Sequence, residues 1–144
     1  MTGIPAAVRL QRRIDWIDTD AGGIHHWSTF ARLTDAAEAL LYDRLGIAEA
    51  YVRLPRVAVE ARFLRMLRFN DIVEVLFRVE HVGRSSIRCR FEISLDGQPA
   101  IEGTTTSVLM GEDERAVPWP DAYRCRFETA GEQAGEALME RKVS

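Results

Sequence analysis

The sequence predicts an α+β domain in which one long helix packs on one antiparallel sheet. Two observations carry that expectation. Apolar residues recur at helical spacing in a single stretch, near residues 30–45, whereas from residue 57 onward their period switches to two. The period-two stretches are joined by turns of a few residues. Such turns are too short for the crossover that parallel strands need, so neighbouring strands run antiparallel.

Val8, Leu10, Ile14 and Trp16 alternate with polar residues and predict a half-buried first strand, with Arg12 the exception on its apolar face. Phe30, Leu33, Ala37, Leu40, Leu41 and Leu45 then make the apolar stripe of a helix of about four to five turns. Ser28 or Thr29 suits its N-cap, and Gly46 stands where a left-handed stop is expected. Ala36, Ala37 and Ala39 let a neighbouring element approach this helix closely.

Val57, Val59, Ala61 and Phe63 predict the second strand, followed by a turn at Asn70-Asp71. Val73, Val75, Phe77 and Val79 predict the third, which Gly83 ends. Ile87, Cys89, Phe91, Ile93 and Leu95 predict the fourth. Asp96-Gly97 is a strong hairpin signal, and a threonine-rich strand returns from about Ala100 to Met110. Beyond Gly111, "VPWPDAYRCRF" reads as a proline-marked loop leading to a short helix, and "EQAGEALMERKVS" as a fraying terminal helix. The expectation is a single domain over 1–144, with a core at about 8–122 and a loosely held tail at 123–144.

With 144 residues, 47% hydrophobic content and a net charge of -3, the chain can bury a core without disulfide or metal staples. The mild acidity argues against nucleic acid as a partner. No apolar run approaches the roughly 20 residues of a membrane span, and "MTGIPAAVRLQRR" lacks the apolar core of a secretory signal, so a cytoplasmic address is expected. Cys89 and Cys125 form no metal-ligand spacing and are expected to stay reduced. Arginine supplies nearly all the basic charge, Lys142 being the one lysine, and many arginines lie between Arg53 and Arg90. That bias suits an anionic small ligand as well as the polar face of a sheet.

The densest chemistry lies in "WIDTDAGGIHHWSTF", residues 16–30. Two acids, two glycines and two histidines stand between the first strand and the helix. Such a stretch can offer a nucleophile or base, together with donors for a negatively charged group. A carboxylate at the mouth of a helix supplies the first, and the unpaired N–H groups of the helix N-terminus supply the second. Gly22 and Gly23 let the backbone turn tightly against a ligand. Asp18 reads as a structural acid bonding the backbone of the turn. His25 and His26 are adjacent, so extended backbone points them to opposite sides, and at most one is expected to face a substrate. Position favours His26. No helical i, i+4 histidine pair and no distant third ligand appears, so no metal is expected.

The motif Asp18-x-Asp20-Ala21-Gly22-Gly23-Ile24, with Phe30 six residues later, resembles the hot-dog fold. Within that fold it resembles the 4-hydroxybenzoyl-CoA thioesterase-like acyl-CoA thioesterases. "RFLRMLRFND" before a strand and "VGRSSIRCRFEI" after one add to the resemblance, which covers roughly residues 8–122. Two departures stand out: Phe30 occupies a position that is commonly tyrosine, and His25-His26-Trp27 replaces a variable apolar or aromatic segment.

The resemblance implies a long central helix wrapped by a curved antiparallel sheet of about five strands, and hydrolysis of an acyl or aryl thioester. It implies Asp20 as nucleophile or general base, with the backbone N–H near Trp27 as oxyanion donor and His26 beside it. Arg84, Ser85 and Ser86 would meet coenzyme A, with Arg62, Arg65 and Arg68 as weaker candidates. Coenzyme A is then part of the substrate, and no separate cofactor is implied. A homodimer or tetramer is implied, with sites between subunits.

Other readings stay open. Asp20 and His25 are five apart, as in the (R)-specific enoyl hydratases, although the Asn-Pro usual between those residues is replaced here by glycines. A non-catalytic acyl-binding module and a thioesterase acting on acyl carrier protein are further alternatives. Asp35 and Glu38, on the helix, are expected as solvated or interface acids. Trp27, Phe30, Phe63 and Met66 are candidates for an acyl pocket or for plain core.

Overall fold

The computed structural model describes residues 3–138. Strand β1 (Ile4–Arg13) leads through a short 3-10 turn (Trp16–Asp18) to helix α1 (Thr29–Arg44) and the single turn α2 (Ala48–Tyr51). Strands β2 (Arg56–Phe63), β3 (Ile72–Val82), β4 (Ser86–Leu95) and β5 (Gln98–Val108) follow. Helix α3 (Asp121–Thr129) and the short strand β6 (Ala130–Glu132) complete the described chain. The six strands form one sheet in the order β2-β5-β4-β3-β1-β6, antiparallel except for the β1–β6 pair.

The period-two residues meet across the sheet as their spacing demands. Val8 pairs with Phe77, Phe77 with Phe91, and Val75 with Ile93, so one face is continuously apolar. Leu33, Ala37 and Leu41 of α1 lie fully buried against it. Each such side chain stabilises the fold by about 1.5–3 kcal/mol relative to exposure, alanine less. Asp96 and Gly97 both take positive φ, as a two-residue hairpin of right-handed twist requires, and Gly46 ends α1 in the left-handed region. Gly103 lets β2 close on β5, because a Cβ there would meet the Glu60 carbonyl oxygen.

Several expectations change. Strand β1 ends at Arg13, and Trp16 is exposed and stacked on Phe69, because Asp15 and Asp18 form a reciprocal capping pair that turns the chain. Neither Ser28 nor Thr29 caps α1 through its side chain. The Ser28 hydroxyl pairs with His26 Nδ1 at 2.7 Å, and the Thr29 hydroxyl donates to the Asp18 carbonyl at 2.7 Å. On β2, a bulge between Arg56 and Ala58 removes Val57 from the alternation and turns Arg56 inward beside Ser107. Val59 and Phe63 keep the inner face yet remain about half exposed, because β2 is the outermost strand and open space separates this part of it from α1.

The C-terminal segment is docked rather than loose. Phe127 of α3 is fully buried against Trp119 and Tyr42. β6 adds the sixth strand beside β1, and the chain onward to Leu138 is extended rather than helical, with Glu136 N–H bonded to the Arg9 carbonyl at 3.1 Å. The rest of the expected terminal helix, 139–144, lies outside the described residues.

Candidate functional site

The loop between β1 and α1 is built around a buried carboxylate. Asp18 is 4% exposed and takes a bidentate fork from Arg32 of α1, Nε to Oδ1 at 2.8 Å and Nη2 to Oδ2 at 2.6 Å. Its Oδ2 also accepts the Asp15 N–H, and its carbonyl accepts both the His26 N–H and the Thr29 hydroxyl. Asp18 therefore ties the loop to the first turn of the helix, and none of its bonds is offered to solvent.

Asp20 stands at the surface of the same loop. Its Oδ1 accepts the Gly22 N–H at 2.8 Å, the short-range bond that aspartate makes in turns, while Oδ2 has no partner among the described residues. Gly23 follows at φ 81°, a conformation open to glycine and strained for other residues. The carboxylate is thus held by one oxygen and free at the other. The Trp27 N–H, just ahead of α1, also has no partner among the described residues.

Both histidines line the cavity that Asp20 fronts, which corrects the expectation that at most one faces it. The chain is turning into the helix here, so strand alternation does not apply. Their surroundings differ. His25 is 8% exposed, and its Nδ1 accepts the Leu67 N–H at 3.0 Å while its own backbone N–H donates to the Leu67 carbonyl at 2.8 Å. Burial pushes the imidazole below its ordinary pKa, against the smaller opposing effect of the Asp20 charge. His26 is exposed, with Nδ1 engaged by the Ser28 hydroxyl and N–H.

The cavity has a volume of about 820 Å³ and is walled on its apolar side by Trp27, Phe63 and Met66. A second cavity of about 390 Å³ lies between α1 and β2, with Phe30, Val59 and Ala61 in its wall and Arg56 and Thr105 among its few polar neighbours. Trp27 and Phe63 border both. A polar mouth carrying a carboxylate thus adjoins an apolar chamber, an arrangement suited to a substrate with one reactive polar end and one greasy end.

The sequence profile of the thioesterase-like superfamily matches residues 13–127. The chain belongs to that superfamily. It is a thioester hydrolase with the hot-dog fold. No curated protein matches it. Among solved structures, it is similar to a thioesterase from Thermus thermophilus complexed with coenzyme A and zinc. That pair shares 26% identity at a TM-score of 0.78, over 88% of this chain and 94% of the other. A 1,4-dihydroxy-2-naphthoyl-CoA thioesterase from Synechocystis, 18% identical, superposes at a TM-score of 0.75 over 84% and 95% of the two chains. A gentisyl-coenzyme A thioesterase, 21% identical, gives 0.73 over 81% and 98%.

Within one chain of this thioesterase, Arg84, Ser85 and Ser86 do not join Asp20. They connect β3 to β4, whereas the Asp20 loop meets Arg68 just before β3 begins, through the Ile24–Arg68 bridge. The length of β3, about 35 Å, separates the two. The carbonyls of Arg84 and Ser85 accept the Trp119 and Leu109 N–H groups, and that of Ser86 accepts the Trp119 indole N–H.

Glu38 corrects a second expectation. Asp35 is exposed, but Glu38 is 2% exposed and lies 3.4 Å from Arg56 Nη2. Burial raises its pKa to about 7, partly opposed by Arg56. Glu38 Oε2, Tyr42 OH, Arg56 Nη1 and Ser107 Oγ are all buried without a hydrogen-bond partner among the described residues. Sequence reasoning also missed Arg32, whose place one turn into α1 was the only available sign that it could answer an acid in the preceding loop.

Proposed function

We propose that this protein hydrolyses acyl-CoA thioesters, with Asp20 as the catalytic carboxylate and the Trp27 N–H as an oxyanion donor. The observation that carries the reading is the pairing of a half-free carboxylate with an unpartnered helix-start N–H on one cavity. Coenzyme A as the thiol carrier is supported by its presence in the Thermus structure at 26% identity. In the general-base route, Asp20 takes a proton from water as the oxygen adds to the thioester carbonyl. The carbonyl oxygen, now anionic, is held by the Trp27 N–H; collapse breaks the C–S bond, and the thiolate leaves and takes up a proton. In the nucleophilic route, Asp20 Oδ2 adds instead; the C–S bond breaks, the thiolate leaves and is protonated, and water then opens the mixed anhydride, releasing the acid and restoring Asp20. His26, on the exposed lip, borders the path of the leaving thiol. No separate cofactor enters either route.

The free edge of β2 supports a homodimer. It ends the sheet, and its inner face shows Val59 and Phe63 half exposed. Two copies joined antiparallel at β2 would bring the Arg56 end of one strand beside the Phe63 end of the other. The partner's loop from Gly83 to Ser86 lies at that Arg56 end, because Ser86 pairs with Val108 and Arg56 with Ser107. It would then stand about three strand spacings, roughly 14 Å, from the β2 that borders the Asp20 cavity, within reach of an extended coenzyme A. On this reading Arg84, Ser85 and Ser86 serve the partner's site.

The test is thiol release from acetyl-, hexanoyl- and benzoyl-CoA by wild type and Asp20→Asn. Release by wild type and a loss of about 10³-fold or more in the variant supports the assignment. Loss of the conjugated band of an enoyl-CoA without free thiol would transfer the site to hydration instead.

A further inference from the structure

The two imidazoles of the loop are not equivalent, and the buried one is the better prepared for chemistry. His25 Nδ1 accepts the Leu67 N–H at 3.0 Å. A ring nitrogen that accepts carries no proton, so the ring proton of the neutral form sits on Nε2. Nε2 has no partner among the described residues, and His25 lines the same cavity as Asp20. The ring is also fixed in plane, stacked on Phe63 with centroids 5.9 Å apart. Its backbone N–H also donates to the Leu67 carbonyl, so ring and backbone are both tied to a segment 42 residues away.

We propose that His25 is a catalytic residue of this chain, its Nε2–H donating to the thioester carbonyl oxygen as a second oxyanion donor beside the Trp27 N–H. The proposal rests on the thioesterase reading above. A neutral donor suits the place. An imidazolium beside Asp20 would hold the carboxylate in an ion pair and weaken it as base or nucleophile. Protonation of Nδ1 is itself opposed, because it would set one N–H against another at Leu67. Burial works in the same direction by disfavouring the charged ring. The proton on Nε2 stays there throughout: the residue stabilises charge and transfers nothing. His26, with an exposed ring, lacks the fixed orientation that makes a donor effective in the transition state.

The experiment compares His25→Asn with His25→Gln, using benzoyl-CoA and hexanoyl-CoA as probes. Asparagine keeps an acceptor where Nδ1 stood and so keeps the Leu67 bond, but it cannot reach as far as Nε2. Glutamine places an N–H at the Nε2 reach. The expected result is a fall of about 10²–10³-fold in kcat for His25→Asn, with KM changed by less than about threefold, and recovery of about tenfold or more by His25→Gln. A His25→Asn enzyme within about threefold of wild-type kcat overturns the proposal, as does a glutamine variant no better than asparagine. Nitrogen-15 spectra of histidine-labelled full-length protein test the tautomer independently of turnover. A buried imidazole protonated on Nε2 between about pH 6 and 8 supports the assignment, and one protonated on Nδ1 overturns it. If wild type releases no thiol from either probe, or Asp20→Asn retains full activity, the thioesterase site falls and this assignment with it. Loss in Asp20→Asn without loss in His25→Asn removes His25 alone.

Discussion

Glu38 Oε1 lies 3.4 Å from Arg56 Nη2 across the contact between α1 and the edge strand, with the Glu38 side chain almost wholly out of solvent. The pair is long for an ion pair, and burial dominates the glutamate, raising its pKa from 4.5 to about 7. Between those two values the folded chain holds a proton that the unfolded chain has released. Stability therefore falls as pH rises from about 4.5 to 7, and the full cost persists above 7. Glu38→Gln should remove that slope and stabilise the protein at about pH 8 by about 1–3 kcal/mol. Urea unfolding at intervals from about pH 5 to 8 measures it; an unchanged slope in the variant would show that Glu38 is not the group responsible.

The two acids of the loop should separate cleanly by phenotype. Asp18→Asn leaves Arg32 without its carboxylate fork and weakens the loop from within, so we expect a loss of about 1–3 kcal/mol in stability. Asp20→Asn keeps the Oδ1 acceptor for Gly22 and should leave the melting temperature nearly unchanged while abolishing turnover. Paired calorimetry and thiol-release assays read both. The reverse pattern would exchange the roles.

Association through β2 is open to a single substitution. Val59 is 48% exposed on the inner face of the edge strand. Val59→Lys places a charge where two copies would bury apolar surface, and we expect the variant to elute as a monomer and lose activity on coenzyme A thioesters. Light scattering coupled to size exclusion measures this. A dimer that persists would locate the interface elsewhere.

Phe127 tests whether the C-terminal segment belongs to the core. Its ring is fully buried and tilted against Tyr42 at 5.6 Å. Phe127→Ala should cost about 3–5 kcal/mol, and denaturant midpoints would register it directly. A loss below about 1 kcal/mol would return α3 to the status of an appendage.

Periodicity exposed most of the sheet because the inner strands bury one face against α1, and alternation is the direct imprint of that burial. It failed at Val57, where a bulge shifts the register, and at Trp16, where the Asp15–Asp18 capping pair overrides the strand pattern. Neither event has a hydrophobic signature. The candidate catalytic loop was legible through its glycines and its acids. The difference between His25 and His26 was not, since the deciding partner is a backbone N–H 42 residues away. Glu38 escaped for a similar reason: a helical acid reads as solvated unless the strand opposite is known to turn an arginine inward.

The three tryptophans occupy three different environments, and this makes the protein its own optical instrument. Trp119 is 4% exposed, bonded to the Ser86 carbonyl and packed edge-on against Phe127. Its emission should be blue-shifted and should report unfolding. Trp16, stacked on Phe69, is 66% exposed, and so is Trp27 at the junction of the two cavities. Trp16 lines neither cavity, so a Trp16→Phe protein confines the red-edge signal to Trp27. Its quenching on addition of an acyl-CoA would then time the entry of substrate without a label.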